Sequence, residues 1–599
     1  MKGITLAIGA LLALLVLVAP AAGAEKNVRL VDNLPEAANA TAINFLEYKS
    51  RGRGDDGHRG RDRDDDDDRG KGRDRDDDDD RDKGRHRGDD DDRDRGDDLR
   101  RGDDDDDDRG RRGDDDDDDR FARTSGRKGG KSLDVMLVTG RFGLKTYSLA
   151  DRDSPELLGE LTAEELRLPG DPPVDFTPVN GTPKSTYWQN EDMDIDEDRK
   201  LALLSRDPRA YGGSTTREPG EADPNNATNI AGVYVVDVRD PRNPQILSFE
   251  QLPTGHTTTC INDCKWLWTG GPAATTTQQA NGWTFGRPII VTDLSDPRDP
   301  RGYPMNPVDL FRRDGVTAYS HDVQVDDMGI AWVSGDGGTR GYWTEGKHFD
   351  PLEGERRRAT PLDPIPYAGG GLPASVTGDE DGGFEHNAWR PVGRDAPKGD
   401  RRYKKGELLL ATEEDFGPAA EACANRGQFS IASLDGSYDG EAWRSTATSK
   451  FRLEVVGKWS PAGQEGSRPV GGPYDPLADF CSAHYFDVDG SVVSYAWYGE
   501  GTRFLDISDP ENPRQFAYWR PDDGIVWASY YHKGYVYTAD RTRGVDVLQF
   551  TRGAFKARRS SREVVAPSPS AKQRRFVARV AAQYTADRAT AGICFLQSQ

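Results

Sequence analysis

The chain has 599 residues, a net charge of −24, five cysteines and 34% hydrophobic residues. A chain of this length ordinarily predicts several domains. Its acidic balance, with basic residues dispersed outside one tract, argues against a nucleic-acid-binding protein. Much of the charge is local, because residues 51–120 carry 34 Asp against 21 Lys plus Arg, a net of −13.

The N-terminus carries the pattern of a secretory signal peptide over residues 1–24. One Lys precedes an apolar run from Ile4 to Val18, and small residues follow up to Ala24. This order is typical of a cleaved export signal, and the run is short for a membrane span. We therefore expect a secreted or cell-envelope-associated monomer with no transmembrane segment after cleavage.

Residues 51–130 form an Asp/Arg/Gly-rich insertion. A segment of this composition cannot bury enough apolar surface to offset the entropy of ordering, so the sequence predicts disorder. Runs such as Asp103–Asp108 predict loose Ca²⁺ binding at most. The tract has neither the spacing of an EF-hand loop nor the period of a calcium-binding nonapeptide repeat.

A repeated phrase organises the rest of the chain. It reads GVYVVDVRDPRNP at 232–244, RPIIVTDLSDPRDP at 287–300 and TRFLDISDPENP at 502–513. Each copy is a β-branched or aromatic run that ends at an Asp and a Pro-bearing turn, and a second apolar run follows. The repeated unit is therefore strand, rigid turn, strand, which is typical of a repeat architecture.

Seven strand pairs of this kind lie between Ser132 and Phe550. They predict an all-β fold, a β-propeller with seven four-stranded blades over residues 131–551. Six or eight blades stay open, because the fourth and fifth units are irregular. Residues 25–50 supply the first inner strand and a closing strand, Asn27–Val31, that completes the last blade beside GVDVLQF. Residues 552–599 form a basic tail.

The repeated phrase resembles the LVIVD repeat of bacterial and archaeal surface or secreted proteins. The resemblance covers roughly residues 27–50 and 131–550, and blades four and five lack its Asp-Pro turn. It implies a β-propeller but no settled biochemical activity, and a fold by itself does not decide function.

Four of the eight histidines begin the innermost strand of consecutive units. They are His256, His321, His386 and His484, in blades three to six. The equivalent place carries Asn190, Glu191 and Asp192 in blade two, and Trp527 or Ala528 in blade seven. Because innermost strands line the channel of a propeller, we expect an arc of imidazoles at one mouth. His348 and His532 fall outside this arc.

Two interpretations of the arc stay open. Imidazoles suit Zn, Cu, Fe or Ni, and Asp322, Glu385 or Glu191 would support them. Alternatively, each imidazole hydrogen-bonds the backbone of the neighbouring blade and closes the channel structurally.

The cysteines predict two disulfides. Cys260 and Cys264 are close enough in sequence to bridge a tight turn, and Cys423 and Cys481 form a second candidate pair, which leaves Cys594 odd. Export makes such bridges permissible, although spacing alone does not fix connectivity.

Two functional hypotheses follow. The first is a non-catalytic propeller that binds a cell-envelope component or a protein partner. The second is a metal-dependent enzyme, an oxidase or hydrolase, that uses the histidine arc. The sequence contains no nucleophile elbow, no zinc-protease motif and no phosphate loop, so it assigns no catalytic residue.

Overall fold

The computed structural model describes a defined set of residues. These are 23–49, 132–175, 178–179, 182–183, 191–213, 217–222, 227–271, 289–304, 320–326, 328–335, 338–350, 353–372, 384–391, 408–414, 427–434, 454–468, 481–551 and 553–554. Most of the predicted signal peptide, all of the predicted insertion and most of the predicted tail lie outside them. No helix in the described part of the chain is long and apolar enough to cross a membrane.

The chain is all-β, and its seven main sheets form the blades of a propeller. Blade 1 consists of Ala40–Lys49, Ser132–Gly140, Gly143–Ser148 and Glu156–Thr162, and blade 2 of Met193–Asp196, Leu201–Arg206, Ala231–Asp237 and Gln245–Leu252. Blade 3 consists of Thr257–Ile261, Trp266–Gly270, Ile290–Asp293 and Arg301–Pro304, and blade 4 of Ser320–Val325, Ile330–Gly335, Gly338–Trp343 and Ile365–Leu372. Blade 5 consists of Phe384–Trp389, Leu408–Glu414, Phe429–Ser433 and Glu454–Trp459.

The last two blades take strands from both ends of the described chain. Blade 6 consists of Phe486–Asp489, Val492–Ala496, Thr502–Asp506 and Arg514–Pro521, with Gly23–Lys26 as a fifth, outermost strand. Blade 7 consists of Val526–His532, Tyr535–Asp540, Gly544–Phe550 and Val28–Leu34. The remaining elements are two hairpins, Pro178–Val179 with Thr182–Pro183 and Lys347–Asp350 with Glu355–Arg358, and the 3₁₀ turns Pro35–Ala37 and Ala210–Gly212. The seven predicted strand pairs are the second and third strands of the seven blades, so the blade count is confirmed.

The repeated Asp at the end of the third strand has a defined local role. Its carboxylate accepts a hydrogen bond from the backbone N–H two residues later in each of the three copies. The contacts are Asp237 with Arg239 (3.0 Å), Asp293 with Ser295 (2.9 Å) and Asp506 with Ser508 (3.0 Å). This Asx-turn fixes the direction of the chain into the outermost strand, as the turn chemistry of the sequence predicts.

The closing strand is confirmed, with different bounds. Val28–Leu34 pairs antiparallel with Gly544–Phe550, from Val28 opposite Phe550 to Leu34 opposite Val545. The predicted strand began at Asn27, but Asn27 has φ of 59° and turns the chain from blade 6 into blade 7. Cleavage after Ala24 would remove two of the four residues of the strand Gly23–Lys26 and would keep the ion pair of Lys26 with Glu465.

The acidic tract connects two adjacent strands of blade 1. Lys49 and Ser132 are cross-strand partners at the end of that pairing. Residues 50–131 therefore join two chain ends that already lie side by side.

Packing between blades supplies the core. Buried apolar clusters join blades 1 and 2, 3 and 4, and 5 and 6, and a further cluster joins the two ends of the ring at blades 7 and 1. Each blade is thereby covered by its neighbours and leaves only short edges.

Candidate metal centre

The four predicted imidazoles occupy one level of the channel because of local irregularities in the inner strands. The pairing register slips at the arc position in blades 1, 4, 5 and 7, and the unpaired residues are Thr41, His321, His386 and Trp527. Such a bulge re-aims the side chain of the extra residue. His256 and His484 lie just before the inner strands of blades 3 and 6. In blade 7 the equivalent residue is thus Trp527 and not Ala528, and sequence reasoning missed Thr41.

In blade 2 the arc position belongs to Glu191, and all four imidazoles converge on it. Its Oε2 lies 3.3 Å from His256 Nε2, 3.1 Å from His321 Nε2 and 3.2 Å from His386 Nε2. Its Oε1 lies 3.5 Å from His484 Nε2. All five side chains are fully buried. The structure thus brings the four predicted histidines together, and their side chains are buried instead of lying open at one mouth of the channel.

The opposite ring nitrogens of three of the four imidazoles contact protein atoms, whereas His386 Nδ1 has no hydrogen-bond partner among the described residues. His321 Nδ1 donates to the carbonyl of His386 at 3.1 Å, and His484 Nδ1 donates to the carbonyl of Trp527 at 2.5 Å. The structural interpretation of the arc predicts hydrogen bonds from the imidazoles to the backbone of the neighbouring blade, and these two bonds are of that kind. His256 Nδ1 lies 2.8 Å from a carboxylate oxygen of Asp207.

These contacts determine which nitrogen of each ring carries the lone pair. A carbonyl oxygen only accepts, so the proton of a neutral His321 or His484 sits on Nδ1, and Nε2 is unprotonated. Those two lone pairs face the carboxylate of Glu191, which also only accepts. Two buried acceptors at 3.1 Å and 3.5 Å repel each other unless a cation lies between them.

The spacing of the donor atoms fits a shared metal ion. One ligand atom each from Glu191, His321 and His386 lie within 4.8 Å of one another. His256 Nε2 lies 3.0 Å from His321 Nε2. Two nitrogens bound to one ion at about 2.1 Å and at right angles are separated by about 3 Å.

Protonation of the imidazoles is a weak alternative to a bound cation in this cluster. Burial lowers the pKa of His321 to about 4, and burial together with the charges of His484 and His321 lowers the pKa of His386 well below its usual value. Burial also opposes charge on His256, but Glu191 and Asp207 outweigh it and raise that pKa to about 8. His256 is therefore the imidazole of the cluster that takes up an extra proton, while burial keeps His321 and His386 neutral.

Of the three predicted carboxylates, Glu191 contacts the imidazoles. Asp322 accepts a hydrogen bond from Gln324 Nε2 at 3.0 Å, and neither oxygen of Glu385 has a hydrogen-bond partner among the described residues. A second carboxylate at the cluster, which the sequence did not predict, is Asp207, which also forms a 2.5 Å ion pair with Arg209. Nothing in the phrase SRDPR marks Asp207 for this role.

Aromatic rings enclose the His484 side of the cluster. The ring of His484 lies 4.7 Å from Trp527, 4.8 Å from Tyr498 and 4.8 Å from Tyr485, measured between centroids. Tyr498 holds a left-handed φ of 40° and is fully buried. These rings exclude water from one side of the four imidazoles and strengthen the electrostatic interactions there.

The two histidines placed outside the arc lie elsewhere. His348 stacks on Trp343 with ring centroids 3.9 Å apart, and His532 stacks on Phe45 at 4.2 Å. Both contacts are ordinary aromatic packing.

One predicted disulfide is confirmed. Cys260 and Cys264 are bridged across the turn that follows the inner strand of blade 3. Cys481 is also disulfide-bonded, but Cys423 and Cys594 lie outside the described residues, so its pairing with Cys423 stays a prediction. The predicted loose Ca²⁺ binding of the acidic tract also lies outside the described residues.

Comparisons with family profiles and with curated protein sequences find no match to this chain. Solved structures that resemble it include Chaetomium thermophilum Sqt1 bound to the N-terminus of ribosomal protein L10, with 12% identity, coverage of 70% of this chain and 81% of the other, and a TM-score of 0.33. A protein from Lactobacillus plantarum has 8% identity, coverage of 66% and 84%, and a TM-score of 0.37. Likeness at this level carries no conclusion about function.

Proposed function

We propose that this chain is an exported LVIVD-type β-propeller whose channel binds one transition metal ion. The donors are Nε2 of His256, His321, His386 and His484, with Glu191 as the neighbouring carboxylate. The observation that carries the proposal is that the unprotonated Nε2 atoms of His321 and His484 face the carboxylate of Glu191 in a fully buried volume. A single bound cation removes the repulsion among all of these acceptors.

The alternative of purely structural closure explains only half of the geometry. The Nδ1 contacts to the next blade account for the presence of His321 and His484. They do not account for the direction of Nε2, since an Asn or Gln side chain would satisfy the same carbonyls. Convergence from five consecutive blades on one point is what a ligand set requires.

The donor set favours a reactive centre. A structural zinc site is closed by four ligands, whereas this cluster offers four imidazoles and one carboxylate. A bound ion would be held by the four imidazoles, and Glu191 would be the donor that water or a substrate replaces; the ion would supply Lewis-acid or redox chemistry. This supports the hypothesis of a metal-dependent oxidase or hydrolase, with Zn, Cu, Fe and Ni as the suitable ions.

The disulfides support the export part of the proposal. A Cys260–Cys264 bridge and a disulfide-bonded Cys481 are typical of an oxidising compartment. The signal-peptide pattern at residues 1–24 also supports a secreted or cell-envelope location. Sequencing the N-terminus of the exported protein tests this part, with Glu25 as the expected first residue.

Metal content tests the centre. The purified chain is supplied in turn with Zn, Cu, Fe and Ni, and the bound metal is counted after dialysis. We expect one ion per chain for the wild type and for His348→Ala, whose ring lies outside the cluster. The double variant His321→Ala, His386→Ala should retain no stoichiometric metal while it keeps the circular dichroism of a β-propeller.

A second function, recognition of a protein partner, is favoured by the hairpin on blade 4. Lys347 lies opposite Arg358 and Phe349 opposite Arg356, so three cations surround a Phe that is 49% exposed. Arg357 on the other face is anchored to Asp350 at 2.5 Å. The exposed face therefore fits an acidic peptide segment that carries an apolar residue.

Binding of a fluorescent acidic peptide with one central Leu tests this second function. The double variant Phe349→Ala, Arg356→Ala should weaken binding at least tenfold, and Leu362→Ala, which removes another exposed apolar residue, should not. Equal affinities of the two variants would remove the hairpin from consideration.

A further inference from the structure

The polar groups below the histidine cluster form a continuous layer in the channel. Met193 and Val323 pack into the apolar clusters between blades, and successive side chains on a strand alternate between its faces. Asp192 and Asp322 therefore share the face opposite the apolar core, one residue past Glu191 and His321. Tyr485 follows His484, and its ring belongs to the apolar cluster between blades 7 and 1.

Two polar atoms next to the arc have no hydrogen-bond partner among the described residues. One is Oδ1 of Asp322, which is fully buried, and the other is the phenol oxygen of Tyr485, a residue that is 1% exposed. Asp322 directly follows His321, and Tyr485 directly follows His484.

A second polar layer follows farther along the inner strands. Asp194 accepts a hydrogen bond from the N–H of Cys260 at 2.6 Å, and Asp487 accepts one from the N–H of Tyr531 at 2.8 Å. Gln324 reaches back to Asp322. Asp192, Asp194, Asp487 and Gln324 are only half-buried, whereas the four imidazoles are fully buried. Solvent therefore reaches acidic groups that follow the arc position along the inner strands.

The chemistry of this route favours cations. The seven described inner strands contain one Lys or Arg, Lys49, which is exposed at the end of its strand. The groups along the route are carboxyl, amide and phenol oxygens, which are ligands for hydrated divalent ions. A cation that passes these oxygens is stabilised by their charge and dipoles.

We propose that this acidic half of the channel is the route by which a hydrated divalent cation reaches the imidazoles. Asp194 and Asp487 form its outer step, and Asp192, Asp322 and Tyr485 form its inner step. The proposal rests on the metal centre, because the route leads to the four histidines. It assigns to Asp192 and Asp322 a role in metal uptake and none in final coordination.

The test is the rate of cobalt uptake by the metal-free, full-length chain, followed through the visible absorption of the bound ion. Clefts of one charge raise association rates by about 10- to 1,000-fold. We therefore expect Asp192→Asn and Asp322→Asn each to slow uptake at least tenfold while the final stoichiometry stays at the wild-type level. Asp240→Asn, which removes the same charge from an exposed turn, should load at the wild-type rate.

Salt supplies a readout that needs no substitution. The wild-type uptake rate should fall as ionic strength rises, because the charges of the route are screened. Variants that load at the wild-type rate with the wild-type salt dependence would overturn the route and leave the centre intact. Variants that lose the bound ion altogether would also overturn it, since those residues would then be ligands. A wild-type chain that takes up no cobalt would overturn the centre and the route together.

Discussion

At the scale of the residue, the centre depends on how each imidazole is tethered. His321 and His484 use Nδ1 to bond the next blade and direct Nε2 inward. One hydrogen bond thus fixes both the orientation of the ring and the identity of the nitrogen that carries the lone pair. The two interpretations of the sequence, structural closure and metal binding, therefore use different atoms of the same side chains.

Glu191 and Glu385 offer a matched pair for testing the carboxylate. Both are fully buried, but only Glu191 contacts the imidazoles. We expect Glu191→Gln to weaken metal affinity at least tenfold, because a charged oxygen next to the ion is lost. Glu385→Gln should leave the affinity within about threefold of wild type, well inside the effect of a lost ligand contact. Competition with a chelator measures both affinities. Equal losses of metal affinity in the two variants would show that the carboxylate of Glu191 does not contact the bound ion.

The stability of the metal-free chain should depend on His256 between pH 6.5 and pH 8. The folded pKa of His256 is about 8, above its ordinary value of about 6.5. Its contribution is therefore complete below pH 6.5 and is lost as the pH rises through 8, a loss of roughly 2 kcal/mol. Chemical denaturation across this range should show a steeper decline for wild type than for His256→Gln. Parallel pH profiles would contradict the charged contact with Glu191 and Asp207.

At the scale of the element, the N-terminal strand Val28–Leu34 closes the ring. Leu34 is 5% exposed and joins the cluster between blades 7 and 1, whereas Leu157, on the outermost strand of blade 1, is 42% exposed. We expect Leu34→Ala to lower the free energy of unfolding by about 2–5 kcal/mol. Leu157→Ala should change it by less than about 0.5 kcal/mol. If urea denaturation gave similar free energies of unfolding for the two variants, the strand Val28–Leu34 would not be what holds the ring closed.

The acidic tract should be dispensable for the fold. Because Lys49 and Ser132 are already paired, residues 50–131 can be replaced by a two-residue Asn-Gly turn. The entropy of loop closure grows slowly with length, so the midpoint of thermal unfolding should stay within a few degrees of wild type. A large loss of stability on this replacement would show that the tract packs against the propeller or holds a structural ion.

At the scale of the whole molecule, the sequence predicts the repeated parts well. The seven strand pairs, the Asp-Pro turns and the arc position follow from local patterns that recur along the chain. The centre itself depends on contacts between distant parts of the chain. Glu191 meets His386 across 195 residues, and Asp207 meets His256 across 49. Only closure of the ring brings these groups together, so Asp207 and Thr41 were missed and Asp322 and Glu385 were placed too close to the imidazoles.

X-ray absorption spectroscopy of the metal-loaded, full-length chain tests the central claim most directly. The account predicts one ion per chain whose nearest neighbours at about 2.0–2.1 Å are imidazole nitrogens. The multiple-scattering pattern of imidazole rings should disappear in the variant His321→Ala, His386→Ala. An ion surrounded only by oxygen atoms, or one that is lost when residues 50–131 are removed, would place the metal on the acidic tract. Either result would contradict a histidine centre in the channel.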